Sequence, residues 1–278
     1  MLGINERLPV IVLGRFFEAR VAAIYNMSFE LSNLASAEFA SPIRRVLFPG
    51  VASLAGDEQK MVETIVRAIG IIAFVGLPAT IGIAVTAPIF VPFLLGGNWG
   101  DVIPVIQILA INGVCLVLYS NSHVIFYALD KPHLTAYVTG FRMVLLVPAV
   151  LLMASRYGAL GAAWALSIVN VIVTVAEYIM FFSLVTIRPR AIVDAIWRSL
   201  VSVSIMGAAV YGVVEWLLTK TSRISLFSEL LISVTAGIAC FTVATILLWL
   251  TSGRPDGAES FVLKTLSGII RSKSRTGS

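Results

Sequence analysis

Apolar residues run in long unbroken blocks along this chain, separated by short polar breaks. The blocks Ile65–Leu95, Val102–Leu129, Leu134–Ala154, Ala159–Thr186, Ile196–Leu218 and Phe227–Leu250 each approach or exceed the ~20 residues a helix needs to cross a bilayer. A further block, Val21–Ile43, is less apolar because it carries Asn26, Glu30, Asn33 and Glu38. Leu8–Phe17 is apolar but too short to cross by itself. None of the blocks alternates with period two, which excludes a β-barrel. The breaks hold turn formers: Gly96-Gly97-Asn98-Trp99-Gly100, Asp130-Lys131-Pro132, Arg156-Tyr157-Gly158 and Arg188-Pro189-Arg190. The pattern predicts an all-α polytopic transmembrane helix bundle of about seven spans. Residues 1–20 read as the remnant of a preceding helix with a periplasmic approach, 21–250 as the bundle and 251–278 as a basic cytoplasmic tail.

Composition agrees. Of 278 residues, 58% are hydrophobic and 13% charged, against about 25% charged in soluble domains. The distribution of charge then predicts orientation. With the C-terminus inside, the inner connections collect Arg44, Arg45, Lys60, Arg67, Lys131, Arg188, Arg190, Arg198 and the tail residues Arg254, Lys264, Arg271, Lys273 and Arg275. The outer ones hold Arg156, Lys220 and Arg223. Lys and Arg accumulate on cytoplasmic loops, so the C-terminus is expected in the cytoplasm. The net charge of +5 follows from this arrangement and needs no nucleic-acid partner.

Cys115 and Cys240 lie in separate apolar blocks without metal-site or disulfide spacing. His123 and His133 have no carboxylates at ligand spacing, and no phosphate-cradling loop ends in Lys-Ser/Thr. No catalytic residues, metal or cofactor are therefore expected.

The informative positions are polar groups inside apolar blocks, which are costly in lipid and face a bundle interior or a wet cavity. Asn26, Glu30, Asn33, Ala37, Ser41 and Arg44 follow three- and four-residue steps, so they share one helix face. That face either lines a hydrophilic cavity or bonds a neighbouring helix. Arg142 lies about 13 Å into its span and needs an anion or water at that depth. Glu30, an anionic substrate or a structural salt bridge each meets that need. Asn121 and His123 form a second polar cluster, for which interhelical hydrogen bonding is the expectation. Glu177, Glu215 and Glu229 fall near span ends, within reach of lipid headgroups.

Several runs resemble a known family. Glu38-Phe39-Ala40-Ser41-Pro42-Ile43-Arg44-Arg45-Val46-Leu47-Phe48-Pro49 is similar to the helix end and cytoplasmic loop of polysaccharide transporters. These form a branch of the multidrug/oligosaccharidyl-lipid/polysaccharide flippase superfamily that includes lipopolysaccharide, O-antigen and exopolysaccharide flippases. Leu13-Gly14-Arg15-Phe16 followed by Tyr25 resembles the start of that family's eighth helix. Leu95-Gly96-Gly97-Asn98-Trp99 resembles its periplasmic turn, and Leu129-Asp130-Lys131-Pro132 its cytoplasmic turn, with Asp130 in place of the usual Gly.

The resemblance implies a flippase moving polyprenyl-pyrophosphate-linked oligosaccharide across the bacterial inner membrane by alternating access, with membrane lipids as its other partners. The family has about 12 to 14 helices in two bundles around a cationic cavity, a two-repeat design. Arginine's planar fork suits the pyrophosphate, which makes Arg142, Arg15, Arg20 and Arg44 candidate contacts. Glu30, Asn33, Asn26 and Asn121 are further cavity candidates. Only the second half is represented, so the expectation is a truncated or split flippase that needs a separately encoded N-terminal half. Three rivals are a cation-coupled multidrug exporter of the same superfamily, a membrane glycan ligase or polymerase, and a structural membrane subunit. The exporter rests on Glu30 alone, and the enzymes need a long extramembrane loop that these short connections lack.

Overall fold

The computed structural model describes residues 2–34, 58–119, 126, 131–185, 189–219 and 225–252. They form seven helices in chain order: α1 (Leu2–Phe16), α2 (19–34), α3 (Glu58–Leu95), α4 (Val102–Tyr119), α5 (His133–Leu184), α6 (Pro189–Thr219) and α7 (Leu226–Thr251). No strand occurs among the described residues. Helices α3 to α7 are each long and apolar enough to cross a membrane.

At 52 residues, α5 would reach about 78 Å if straight, far more than the ~30 Å hydrocarbon core. It is instead two antiparallel limbs, 133–157 and 159–184. Gly158 carries the reversal with φ 57° and ψ −133°, a conformation that glycine alone adopts cheaply. The limbs fold back so closely that a Cβ on Gly161 would lie 2.0 Å from the Met153 carbonyl oxygen. The turn therefore falls at Arg156-Tyr157-Gly158, as the apolar blocks predict. With α5 counted as two crossings, the long apolar helices make six, matching the six strongest blocks. The rest of the Val21–Ile43 block, after residue 34, lies outside the described residues, as do the tail and most of Ser120–Asp130.

Three contacts show which ends lie together. Arg20 Nη2 is 3.0 Å from Asp101 Oδ2, joining the start of α2 to the start of α4. A Cβ on Gly158 would sit 3.7 Å from Val21 Cγ1. The rings of Phe93 and Phe227 are 6.1 Å apart, joining the end of α3 to the start of α7. One end of the bundle thus gathers the starts of α2, α4 and α7, the α5 reversal and the end of α3, so successive crossings alternate in direction. We call it the Gly158 end.

Packing divides the bundle in two. One core joins α3, α6 and α7 through Ile69, Ile72, Leu77, Val203, Met206, Val210 and Phe241. A second joins α1, α2, α4 and both α5 limbs through Leu13, Tyr25, Leu109, Leu146, Val150, Ala162 and Leu166. Helix α4 serves both, because a Cβ on Gly76 of α3 would lie 2.7 Å from Val117 of α4. Small residues permit such approaches where lipid supplies no hydrophobic drive between helices. The apolar residues Val144, Leu152, Ile179, Ile205, Ile238 and Leu247 face outward, as a lipid-solvated surface requires.

Candidate functional site

Polar side chains inside the second core converge where α2, α4 and the two α5 limbs meet. Helix α4 and the second limb of α5 run parallel and are bonded at successive levels. Ser167 Oγ donates to the Ile108 carbonyl at 3.0 Å, Asn170 Nδ2 donates to Asn112 Oδ1, and Tyr178 Oη donates to the Leu118 carbonyl at 3.1 Å. Each bond satisfies a group that lipid would leave unpaired.

Arg142 enters this seam from the first α5 limb and is 5% exposed. Its Nη1 donates to Tyr119 Oη at 3.3 Å, and its guanidinium carbon lies 4.8 Å from the centre of the Tyr119 ring. One tyrosine therefore fixes the guanidinium by a hydrogen bond and by a cation–π contact. Glu177 of the second limb, fully buried, pairs electrostatically with Arg142, its Oε1 lying 3.8 Å from Nη2. That separation is too long for a hydrogen bond. Nε and Nη2, the edge that arginine uses for two-pronged binding, make no hydrogen bond among the described residues.

Arg142 also lines a small cavity. It is lined by Phe29, Asn33, Asn112, Leu116, Tyr119, Arg142, Leu166 and Asn170, and its ≈ 10 Å³ admits about one water. The Oδ1 atoms of Asn33 and Asn170 are also buried without a hydrogen-bond partner among the described residues. The site thus offers donors from Arg142 and acceptors from two amides, a combination that fits a single hydroxyl group or a water. No cluster of ligand residues suited to a metal occurs among the described residues.

The structure brings together some expected residues and separates others. Arg142 and Asn33 share the cavity. Asn26 is half-buried and Glu30 is exposed, and the carboxylate at Arg142 is Glu177 and not Glu30. Glu177 and Glu229 are buried, which corrects the expectation that they reach headgroups. Arg15 and Arg20 are exposed near the Gly158 end, away from the cavity, and Arg20 pairs with Asp101. Arg44 and Asn121 lie outside the described residues. Sequence reasoning passed over Asn112 and Asn170, although amides in the middle of apolar blocks are a signal for a polar seam.

Comparison with known proteins places this geometry. The family described as "Polysaccharide biosynthesis protein" matches residues 1–104. "Lipopolysaccharide biosynthesis protein WzxC" of Escherichia coli (strain K12) is 26% identical over 175 residues, covering 63% of this chain and 36% of the relative. "Teichuronic acid biosynthesis protein TuaB" of Bacillus subtilis (strain 168) is 25% identical over 243 residues, covering 86% of this chain and 49% of the relative. The chain is similar to these polysaccharide-biosynthesis proteins. A solved structure, "Lipid II flippase MurJ, inward closed conformation", superposes with a TM-score of 0.71 at 13% identity, covering 89% of this chain and 52% of that one. This likeness shows the fold. The chain spans 36% to 49% of the length of the curated relatives it matches. The Arg142 cavity is built from α2, α4 and α5, so it includes helices beyond the segment that the family profile matches.

Proposed function

We propose that the chain is the second half of a flippase for polyprenyl-pyrophosphate-linked oligosaccharide, acting in the bacterial inner membrane with a first half that completes the cavity. The observation that carries this reading is Arg142, buried in a membrane span and lining a small cavity, with Nε and Nη2 making no hydrogen bond among the described residues. An arginine at that depth, about 13 Å from the start of its helix, suits transient contact with an anionic headgroup. The partly exposed Asn26 and exposed Glu30 on α2 give the open flank of this half a polar character suited to a cavity wall. The relatives' names and the flippase fold support the same substrate class. The excess of Lys and Arg on one set of connections supports an outward Gly158 end and a cytoplasmic C-terminus.

The test is complementation in a bacterial strain lacking its own polyprenyl-oligosaccharide flippase. The chain is expressed alone and together with a matching first half, and surface glycan is measured. Restoration by the pair and not by the chain alone is the expected result. Failure of a correctly inserted pair would overturn the proposal.

A further inference from the structure

The Gly158 end holds a second cavity, unconnected with Arg142. It measures ≈ 320 Å³ and is lined by Arg20, Ala23 and Ile24 of α2 and by Asn98, Trp99 and Asp101 of the turn before α4. Small-molecule sites start at about 300 Å³. We propose that this cavity is a saccharide-binding subsite that takes one neutral sugar ring at the outer end of the bundle, a reading that rests on the function proposed above.

Four observations point to that ligand. First, Arg20 and Asp101 pair at 3.0 Å, so the rim carries both charges and no net one, which favours neither a simple anion nor a simple cation. Second, a hydroxyl both donates and accepts, so adjacent sugar hydroxyls satisfy the Asp101 carboxylate, the Arg20 guanidinium and the Asn98 amide together. Third, Trp99, Ile24 and Ala23 add an apolar wall suited to the C–H face of a ring. Fourth, the wall is anchored. Trp99 packs on the cluster of Leu31, Ala87, Val91, Val102 and Ile106, and its backbone N–H donates to the Gly96 carbonyl at 3.4 Å. Gly96 holds φ 87°, a value that glycine tolerates and other residues resist. The turn therefore presents Asn98 and Trp99 in a set arrangement. Because the Arg20 and Asp101 side chains are 73% and 63% exposed, their bonds compete with water and the affinity is weak, as a release station requires.

The experiment uses the full chain in phosphatidylcholine nanodiscs. Glucose, galactose, mannose and N-acetylglucosamine are titrated by saturation-transfer NMR, with glycerophosphoethanolamine as a lipid-headgroup probe. At least one sugar is expected to saturate in roughly the millimolar range. Trp99→Ala and Asp101→Ala should each weaken it about tenfold or more, Trp99→Phe should retain most of it, and Gly212→Ala, outside the cavity lining with nothing within 4 Å of its added methyl, should leave it unchanged. No saturable signal from any of the four sugars overturns the proposal. Equal binding by Trp99→Ala does the same, and saturation by glycerophosphoethanolamine alone assigns the cavity to lipid headgroups. Because the readout is binding and not export, its failure leaves the complementation result standing, and the reverse also holds.

Discussion

Replacing Gly161 with alanine should break the α5 reversal. The added methyl would meet the Met153 carbonyl oxygen at 2.0 Å, its carbon at 2.5 Å and the Ala154 nitrogen at 3.0 Å. All three are backbone atoms, so no side-chain rotation relieves the clash. A carbon and an oxygen in ordinary contact lie about 3.3 Å apart or more. The limbs must therefore separate by over about 1 Å, and Ala154, Ala162, Ala163 and Leu166, all buried at that crossing, lose contact. Overpacking of a close-packed core costs about 1–3 kcal/mol, and a clash confined to backbone falls at or above the top of that range. Gly212→Ala is the control, because nothing lies within 4 Å of a Cβ there and alanine favours a helix interior by about 0.5–1 kcal/mol. Unfolding of both variants in mixed micelles, followed by circular dichroism against denaturing detergent, gives the comparison. Gly161→Ala as stable as the parent chain would refute the close reversal.

Other consequences follow from the polar seam. Arg142→Leu leaves the Glu177 carboxylate without its cation and should cost about 3–5 kcal/mol, whereas Arg142→Leu with Glu177→Leu should recover more than half of the loss in the same unfolding assay. Asn170→Ala removes the bond to Asn112 between parallel helices and should cost about 0.6–1.7 kcal/mol, the range for hydrogen bonds between membrane helices. Arg20→Ala breaks an exposed ion pair and should change stability by less than about 1 kcal/mol. Cysteines at positions 20 and 101 should be joined by a short bifunctional thiol reagent, while a pair at 20 and 190 should not, since Arg190 lies in the first turn of α6 at the opposite end.

Much of the fold was legible because lipid imposes length. Blocks such as Ile65–Leu95 and Phe227–Leu250 fall within α3 and α7 because a crossing needs a minimum run of apolar residues and ends at polar or turn-forming ones. The reversal at Gly158 was readable from Arg156-Tyr157-Gly158 for the same reason. The depth of Arg142 was equally plain, because it depends only on its distance from the helix start. Its partner was not. Glu30 shares a polar face with Asn26 and Asn33 in sequence, but it lies on the exposed flank of α2. Glu177 looks close to a span end in the sequence, and only the packing of the second α5 limb against the first brings it to Arg142. Helical periodicity says which residues share a face of their own helix. It does not say which neighbouring helix that face meets, and that neighbour decides the site.

The most direct test of the central claim is translocation in proteoliposomes. The chain and its first half are reconstituted together with a fluorescent polyprenyl-pyrophosphate-linked sugar, and transfer to the outer leaflet is measured with the parent chain and with Arg142→Ala. Transfer by the pair that falls at least about tenfold with Arg142→Ala, a loss of ~1.4 kcal/mol in transition-state stabilisation, is the predicted result. Unchanged transfer by a well-folded Arg142→Ala pair would contradict the assignment of this arginine to the substrate path.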